Sequence, residues 1–76
     1  MSTLPPMPKW LDVQGQPVAC TEKIKVMQQN MQELQQMAQD ALEDALLMGC
    51  QEGQVRDYLL TVLQSLENPY QAQDEH

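Results

Sequence analysis

The most reactive side chains in this chain of 76 residues belong to its two cysteines, Cys20 and Cys50. A thiolate is both a nucleophile and a soft metal ligand, so these residues are candidates for redox chemistry or, with the six methionines, for binding copper(I). Nucleophilic catalysis by a thiol also requires a base. The single histidine, His76, falls in a C-terminal tail that we expect to be loose. We therefore predict no catalytic site and no enzymatic activity.

The patterns that would bind other metals are weak. The sequence contains no Cys-x-x-Cys or His-x-x-x-His pair of the kind that binds zinc. Asp40, Glu43 and Asp44 lie within one helical turn and carry the ligand type that hard cations prefer, but such a run is more often a solvated helix face. We expect no cofactor. Metal or thiol handling by Cys20, Cys50 and the methionines is the alternative function.

The charge of the chain argues against several classes of partner. Eleven acidic and four basic residues give a formal net charge of −7. Binding to nucleic acids or to anionic membrane surfaces requires a basic face, which this chain lacks. An RNA-binding helical hairpin is a third candidate function by fold analogy alone, and the charge argues against it. No signal peptide is evident, and the longest apolar run, 45–48, is far below the roughly 20 residues that cross a bilayer. We expect a soluble, cytoplasmic protein that binds neither nucleic acid nor membranes.

A long amphipathic helix over residues 21–48 is predicted to position most of these side chains. Its interior lacks proline and glycine, Thr21 is a plausible N-cap, and Gly49 is suited to the left-handed residue after a helix. Apolar residues recur at alternating spacings of three and four. They are Ile24, Met27, Met31, Leu34, Ala38, Ala41, Ala45 and Met48, with Leu42 and Leu46 widening the face. These residues form an apolar seam along the helix. Its first half consists of large side chains and its second half is rich in alanine, which lets another helix approach closely.

A second helix is predicted over residues 52–67. Its apolar residues share one face. Pro69 is expected to end the helix, because the residue before a proline avoids the helical region. The short connection between the helices predicts an antiparallel hairpin. Counting outward from the connection gives the residues expected to meet across it. They are Val55 with Ala45 and Leu46, Leu59 with Ala41 and Leu42, Leu63 with Ala38, and Leu66 with Leu34.

Two amphipathic helices cannot enclose a core alone, and a chain of this size without phenylalanine has little apolar material for one. We therefore predict an all-α helical hairpin that forms a homodimeric four-helix bundle. The predicted core and interface residues are Ile24, Met27, Met31, Leu34, Ala38, Ala41, Leu42, Ala45, Val55, Leu59, Val62, Leu63 and Leu66.

The charges suggest how two such copies are oriented. Lys23 and Lys25 lie near the start of the long helix, and Asp40, Glu43 and Asp44 lie near its end. An antiparallel pair of these helices would bring opposite charges together. Cys20 of one chain would then approach Cys50 of the other, although two free thiols are favoured in a reducing compartment. A parallel dimer stays open as the alternative.

The segment before the helices is predicted to be an extended arm. Residues 1–9 form a flexible, proline-rich start, residues 10–70 the hairpin domain with its arm, and residues 71–76 a disordered acidic tail. A turn is expected over 14–17. Trp10 and Leu11 are candidate docking residues, although packing of the tryptophan on a helix is favoured over docking because its side chain has so much area to bury.

These observations favour a small, non-enzymatic protein–protein interaction module. It would act as an adaptor, a regulator or an accessory subunit, and it would self-associate through its helical hairpin. Its expected partners are a second copy of itself and an unidentified protein.

Overall fold

The computed structural model describes residues 3–70, and this part of the chain is mostly helical. It contains two helices, α1 (Thr21–Leu47) and α2 (Glu52–Gln64), and no β-strand forms between residues 3 and 70. The predicted all-α helical hairpin is therefore confirmed. Neither helix combines the length and apolar character that would carry it across a membrane. The tail predicted over 71–76 and the first two residues of the predicted flexible start lie outside the described residues.

The chain divides into two compact units, which we name the N-terminal unit (Met1–Met37) and the hairpin unit (Ala38–His76). Residues 21–37 of α1 belong to the N-terminal unit together with the arm that precedes them. Residues 38–47 of α1 belong to the hairpin unit together with α2. The pairs predicted between residues 38–46 of α1 and α2 therefore lie within the second unit.

The turn that ends α1 is closed by a glycine. Gly49 has a φ of 94°, which is the left-handed region. Its N–H donates to the carbonyl of Leu46 at 3.0 Å, and the N–H of Cys50 donates to the carbonyl of Ala45 at 3.0 Å. This pair of bonds is a Schellman motif, which satisfies two carbonyls that the helix would leave unpaired. The predicted role of Gly49 is confirmed, and the helix ends at Leu47, one residue before the predicted boundary.

The helix α1 starts at Thr21 as predicted, but its capping residue differs from the prediction by one position. The N–H of Ile24 donates to the carbonyl of Cys20 at 3.1 Å, which makes Cys20 the capping residue. Thr21 is already helical, so its predicted role as the N-cap is wrong. Glu22 lies in the first turn, where its charge interacts favourably with the helix dipole.

The second helix ends three residues earlier than predicted, at Gln64 instead of residue 67. The hydroxyl of Ser65 donates to the carbonyl of Val62 at 2.7 Å, and the N–H of Leu66 turns to the carbonyl of Leu63 at 3.4 Å. The side chain of Ser65 thus competes for the carbonyl that the next helical bond would use. Leu66, predicted to be a core residue of the helix, lies beyond it and is exposed.

The arm is not extended throughout, because it folds back between Trp10 and Val18. The N–H of Val18 donates to the carbonyl of Trp10 at 2.8 Å, and Leu11 pairs with Pro17 in an isolated antiparallel bridge. The predicted turn lies at the tip of this loop, where Gly15 has a φ of 82°. The arm therefore contains a small hairpin-like turn where we predicted an extended segment.

An aspartate accounts for this turn. One carboxylate oxygen of Asp12, Oδ1, accepts hydrogen bonds from the N–H groups of Gln14 and Gln16, both at 2.9 Å. The backbone of Asp12 also receives the N–H of Gly15 at 2.9 Å. An aspartate that binds nearby backbone amides favours a turn over an extended chain.

Candidate functional site

The candidate site is a groove in the hairpin unit between the last part of α1 and α2. Its volume is about 520 Å³. The residues that line it are Ala41, Ala45, Cys50, Gln54, Val55, Tyr58, Leu59 and Val62. Five of them belong to the predicted core and interface set. Two of the predicted pairs, Val55 with Ala45 and Leu59 with Ala41, are among them, whereas Leu63 with Ala38 and Leu66 with Leu34 are not. The structure thus brings the alanine-rich half of the seam together with the apolar face of α2.

The shape of this groove follows from the sizes of the side chains on its two helices. Ala41 and Ala45 lie one turn apart on α1 and carry nothing beyond Cβ, so this wall is low. Val55, Leu59 and Val62 follow at helical spacing on α2 and form a taller, branched wall. The result is a concave apolar surface of the kind that accepts the side chains of another helix.

Only a small core is buried in the hairpin unit. Within residues 3–70, Leu42 is the one buried residue, with 8% of its surface exposed. Ala38, Ala45, Val55 and Leu59 are half-buried. The hairpin unit therefore keeps one leucine dry and leaves much of its remaining apolar surface accessible.

Cys50 lies in the groove, which sequence reasoning did not foresee. The Schellman motif makes Cys50 the second residue after the capping residue Met48, a position whose side chain often packs against the last turn of the helix. Its neighbour there is Ala45, which also lines the groove. The signal was present in the Gly49-Cys50 sequence, because that motif fixes where the next side chain points. Both Cys50 and Cys20 are free thiols and exposed.

The charge of the hairpin unit is strongly negative. Arg56 bridges to Glu52 one turn earlier, with 2.8 Å between Nε and Oε2, and this exposed pair contributes little to stability. Residues 38–70 carry six carboxylates and one guanidinium, a net charge of −5. The carboxylates are those of Asp40, Glu43, Asp44, Glu52, Asp57 and Glu67. Any partner that binds in the groove is therefore exposed to a negative electrostatic potential.

The predicted interface residues of the N-terminal unit are only partly covered. Ile24 and Met27 are half-buried, whereas Met31 and Leu34 are 38% and 42% exposed. Residues 3–37 carry three carboxylates and three lysines, so this unit has no net charge. The first half of the seam is therefore large, partly accessible and electrically balanced.

Trp10, one of the two candidate docking residues, is half-buried in the N-terminal unit. Its indole Nε1 is buried and has no hydrogen-bond partner among residues 3–70. Leu11 is exposed. A further link joins the arm to α1, where Nε2 of Gln35 donates to the carbonyl of Thr3 at 3.4 Å.

In the acidic run Asp40, Glu43 and Asp44, considered above as a cation site, one carboxylate accepts a hydrogen bond from a neighbouring side chain. Nε2 of Gln39 donates to Oε2 of Glu43 at 2.8 Å. In the described part of the chain, no group of three or more His, Cys, Asp or Glu side chains is arranged to hold a metal ion. His76 lies outside that part.

Two remaining members of the predicted core set are exposed. Leu63 lies on α2 but does not line the groove, and Leu66 follows the helix.

Comparison of the chain with protein-family models, with curated proteins and with solved structures found no match. The groove, the charges and the exposed apolar residues are therefore the basis for a functional proposal.

Proposed function

We propose that this chain is a small, non-enzymatic protein–protein interaction module that self-associates through its helical hairpin. The observation that supports this proposal is the uncovered apolar face of the hairpin unit. Leu42 is buried there, but Val62 on the wall of the groove and Leu46 on α1 are each about 40% exposed. An apolar surface of this kind on a small chain marks an interaction site.

Association would stabilise a structure that is poorly closed as a single copy. Full burial of an aliphatic side chain contributes about 1.5–3 kcal/mol relative to full exposure, and each copy offers several that are half-covered. The free energy contributed by their combined burial is of the same order as the free-energy cost of association, about 4–15 kcal/mol. A second hairpin laid over the groove would complete two layers of helices, which is the four-helix bundle predicted from the sequence.

The biological role that fits such a module is that of an adaptor, a regulator or an accessory subunit. The dimer would present its acidic polar faces outward, and with a net charge of −5 on residues 38–70 of each copy these faces favour a basic partner protein. The identity of that protein would be set by contacts outside the dimer interface.

Sedimentation velocity over a range from low micromolar to millimolar concentration tests the proposal. We expect a monomer–dimer equilibrium in the native chain. The variant Val62→Gln should raise the dissociation constant about tenfold or more, because it places an amide in the apolar groove. A monomer at every concentration would overturn the proposal.

The matched control is Leu60→Gln. Leu60 lies two residues away on α2, is 58% exposed and does not line the groove. It receives the same polar side chain in the same helix, so differences in helix propensity are small. We expect its dissociation constant to stay within about twofold of the native value. Equal effects of the two substitutions would place the interface elsewhere.

A further inference from the structure

We infer that the groove of one copy is occupied by residues 21–34 of α1 from a second copy, in antiparallel orientation. This inference rests on the proposed self-association and names the segment that carries it out. The alternative within the same dimer is groove against groove. Charge, side-chain size and spacing each favour the N-terminal part of α1.

Charge disfavours the contact of two grooves. Residues 38–70 of each copy carry a net charge of −5, so groove-to-groove packing would bring two strongly negative surfaces together. The N-terminal unit is neutral overall and contains all three lysines, of which Lys23 and Lys25 lie on α1. It is therefore the part of a second copy that can approach the hairpin unit without net repulsion.

The sizes of the side chains are complementary. The low wall of the groove is made of Ala41 and Ala45, which leave room for a larger residue. Met31 and Leu34 supply such residues, and each retains about 40% of its surface for a contact. Methionine adapts well to an irregular apolar surface because its side chain is unbranched and flexible.

The spacings match when the two helices run antiparallel. The large residues Met27, Met31 and Leu34 are separated by four and then three positions. Read in the opposite direction, the small residues Ala45, Ala41 and Ala38 have the same separations, so Met27 is placed over Ala45, Met31 over Ala41 and Leu34 over Ala38. A large residue thus meets a small one at these three steps of the register.

This register also places the two cysteines near each other. Cys20 of the second copy comes within about one helical turn of the level of Cys50, which already lines the groove. Lys23 is placed opposite Gly49, about 7 Å along the helix axis from Asp44, a distance that a lysine side chain spans. The inference therefore makes one prediction about proximity and one about charge.

Cross-linking with a short bismaleimide tests the proximity. Chains labelled with ¹⁵N and unlabelled chains are mixed, so that links between copies are recognised by mass as mixed pairs. We expect the dominant mixed link to join Cys20 to Cys50. Cys20→Ser and Cys50→Ser should each reduce the cross-linked dimer to background, because the partner thiol is then missing.

The outcomes separate this inference from the proposal on which it rests. A dominant Cys50–Cys50 link, or a Cys20→Ser variant that still cross-links, would show grooves in contact and overturn the inference while leaving self-association standing. A dimer in sedimentation without the Cys20–Cys50 link would do the same. A chain that stays monomeric at every concentration would overturn both.

A charge exchange provides a second readout. Lys23→Glu should raise the dissociation constant about threefold in low salt, and addition of Asp44→Lys in the same chain should restore the native value. Lys9→Glu is the matched control, because it changes the net charge equally but lies outside residues 21–34. No weakening by Lys23→Glu beyond that of the control, or no recovery in the double variant, would overturn the register.

Discussion

The N-terminal unit and the hairpin unit use the same helical periodicity to build opposite kinds of surface. In the N-terminal unit the seam of α1 is formed by methionines, isoleucine and leucine, so it projects, and the unit has no net charge. In the hairpin unit the seam is formed by alanines, so it is recessed, and residues 38–70 carry a net charge of −5. Side-chain size and charge, rather than the position of the seam, therefore distinguish the two.

The units also differ in how their backbone is fixed. The arm of the N-terminal unit is shaped by one carboxylate, that of Asp12, which accepts two backbone N–H groups. The hairpin unit is shaped by a glycine turn at Gly49 and by a single buried leucine, Leu42. Variants that act on one unit alone can test this contrast.

The largest effect is expected at the core of the hairpin unit. Leu42→Ala should lower the free energy of unfolding by about 2–3 kcal/mol, because it removes the one buried apolar side chain of the described residues and leaves a cavity. Leu47→Ala is the matched control on the same helix, since Leu47 is 87% exposed, and it should change the value by less than about 0.5 kcal/mol. Urea denaturation followed by circular dichroism measures both. Similar losses in the two variants would mean that the hairpin does not depend on Leu42.

The next effect is expected at the turn of the hairpin. Gly49→Ala should cost about 1 kcal/mol, because alanine disfavours the left-handed conformation that Gly49 adopts at φ 94°. Nothing lies within 4 Å of the added Cβ, so the loss would come from the backbone alone. Gly53→Ala also meets open space but lies inside α2, where alanine is the better helix former. It should stabilise the protein, and a loss of stability in both variants would contradict this explanation.

The smallest effect is expected in the N-terminal unit. Asp12→Ala removes the acceptor of two backbone N–H groups and should speed hydrogen exchange at Gln14 and Gln16 about threefold to tenfold, with little change in the helices. Asp12→Asn keeps a side-chain acceptor and should retain most of the protection. Exchange at these two amides that is the same in all three proteins would show that the turn does not depend on the carboxylate.

The helices could be read from the sequence because their signals are local and repeated. The apolar spacing of α1 and the glycine after it predict its extent to within one residue. The end of α2 was not predicted, because it depends on the hydroxyl of Ser65 taking a carbonyl that the next helical bond needs. The turn in the arm was expected over residues 14–17, but its cause, Asp12, was missed although aspartate commonly begins such turns.

The groove could be predicted only in part. The alanines of α1 indicate close approach of another helix, and the pairing of Val55 with Ala45 follows from counting outward from the turn. The place of Cys50 depends on the geometry of that turn, and the sequence pattern alone did not reveal it. Leu63 and Leu66 were predicted as core residues because periodicity shows which side of a helix is apolar, but not whether anything covers it.

The central claim is that a second copy covers the open apolar face of the hairpin, and thermal unfolding at different protein concentrations tests it most directly. A partner that binds only the folded state raises the midpoint of unfolding as its concentration rises. We predict that the midpoint increases steadily from micromolar to millimolar chain concentration, and that Val62→Gln flattens this dependence while Leu60→Gln preserves it. A midpoint that is the same at every concentration, with the helical signal intact, would contradict the claim.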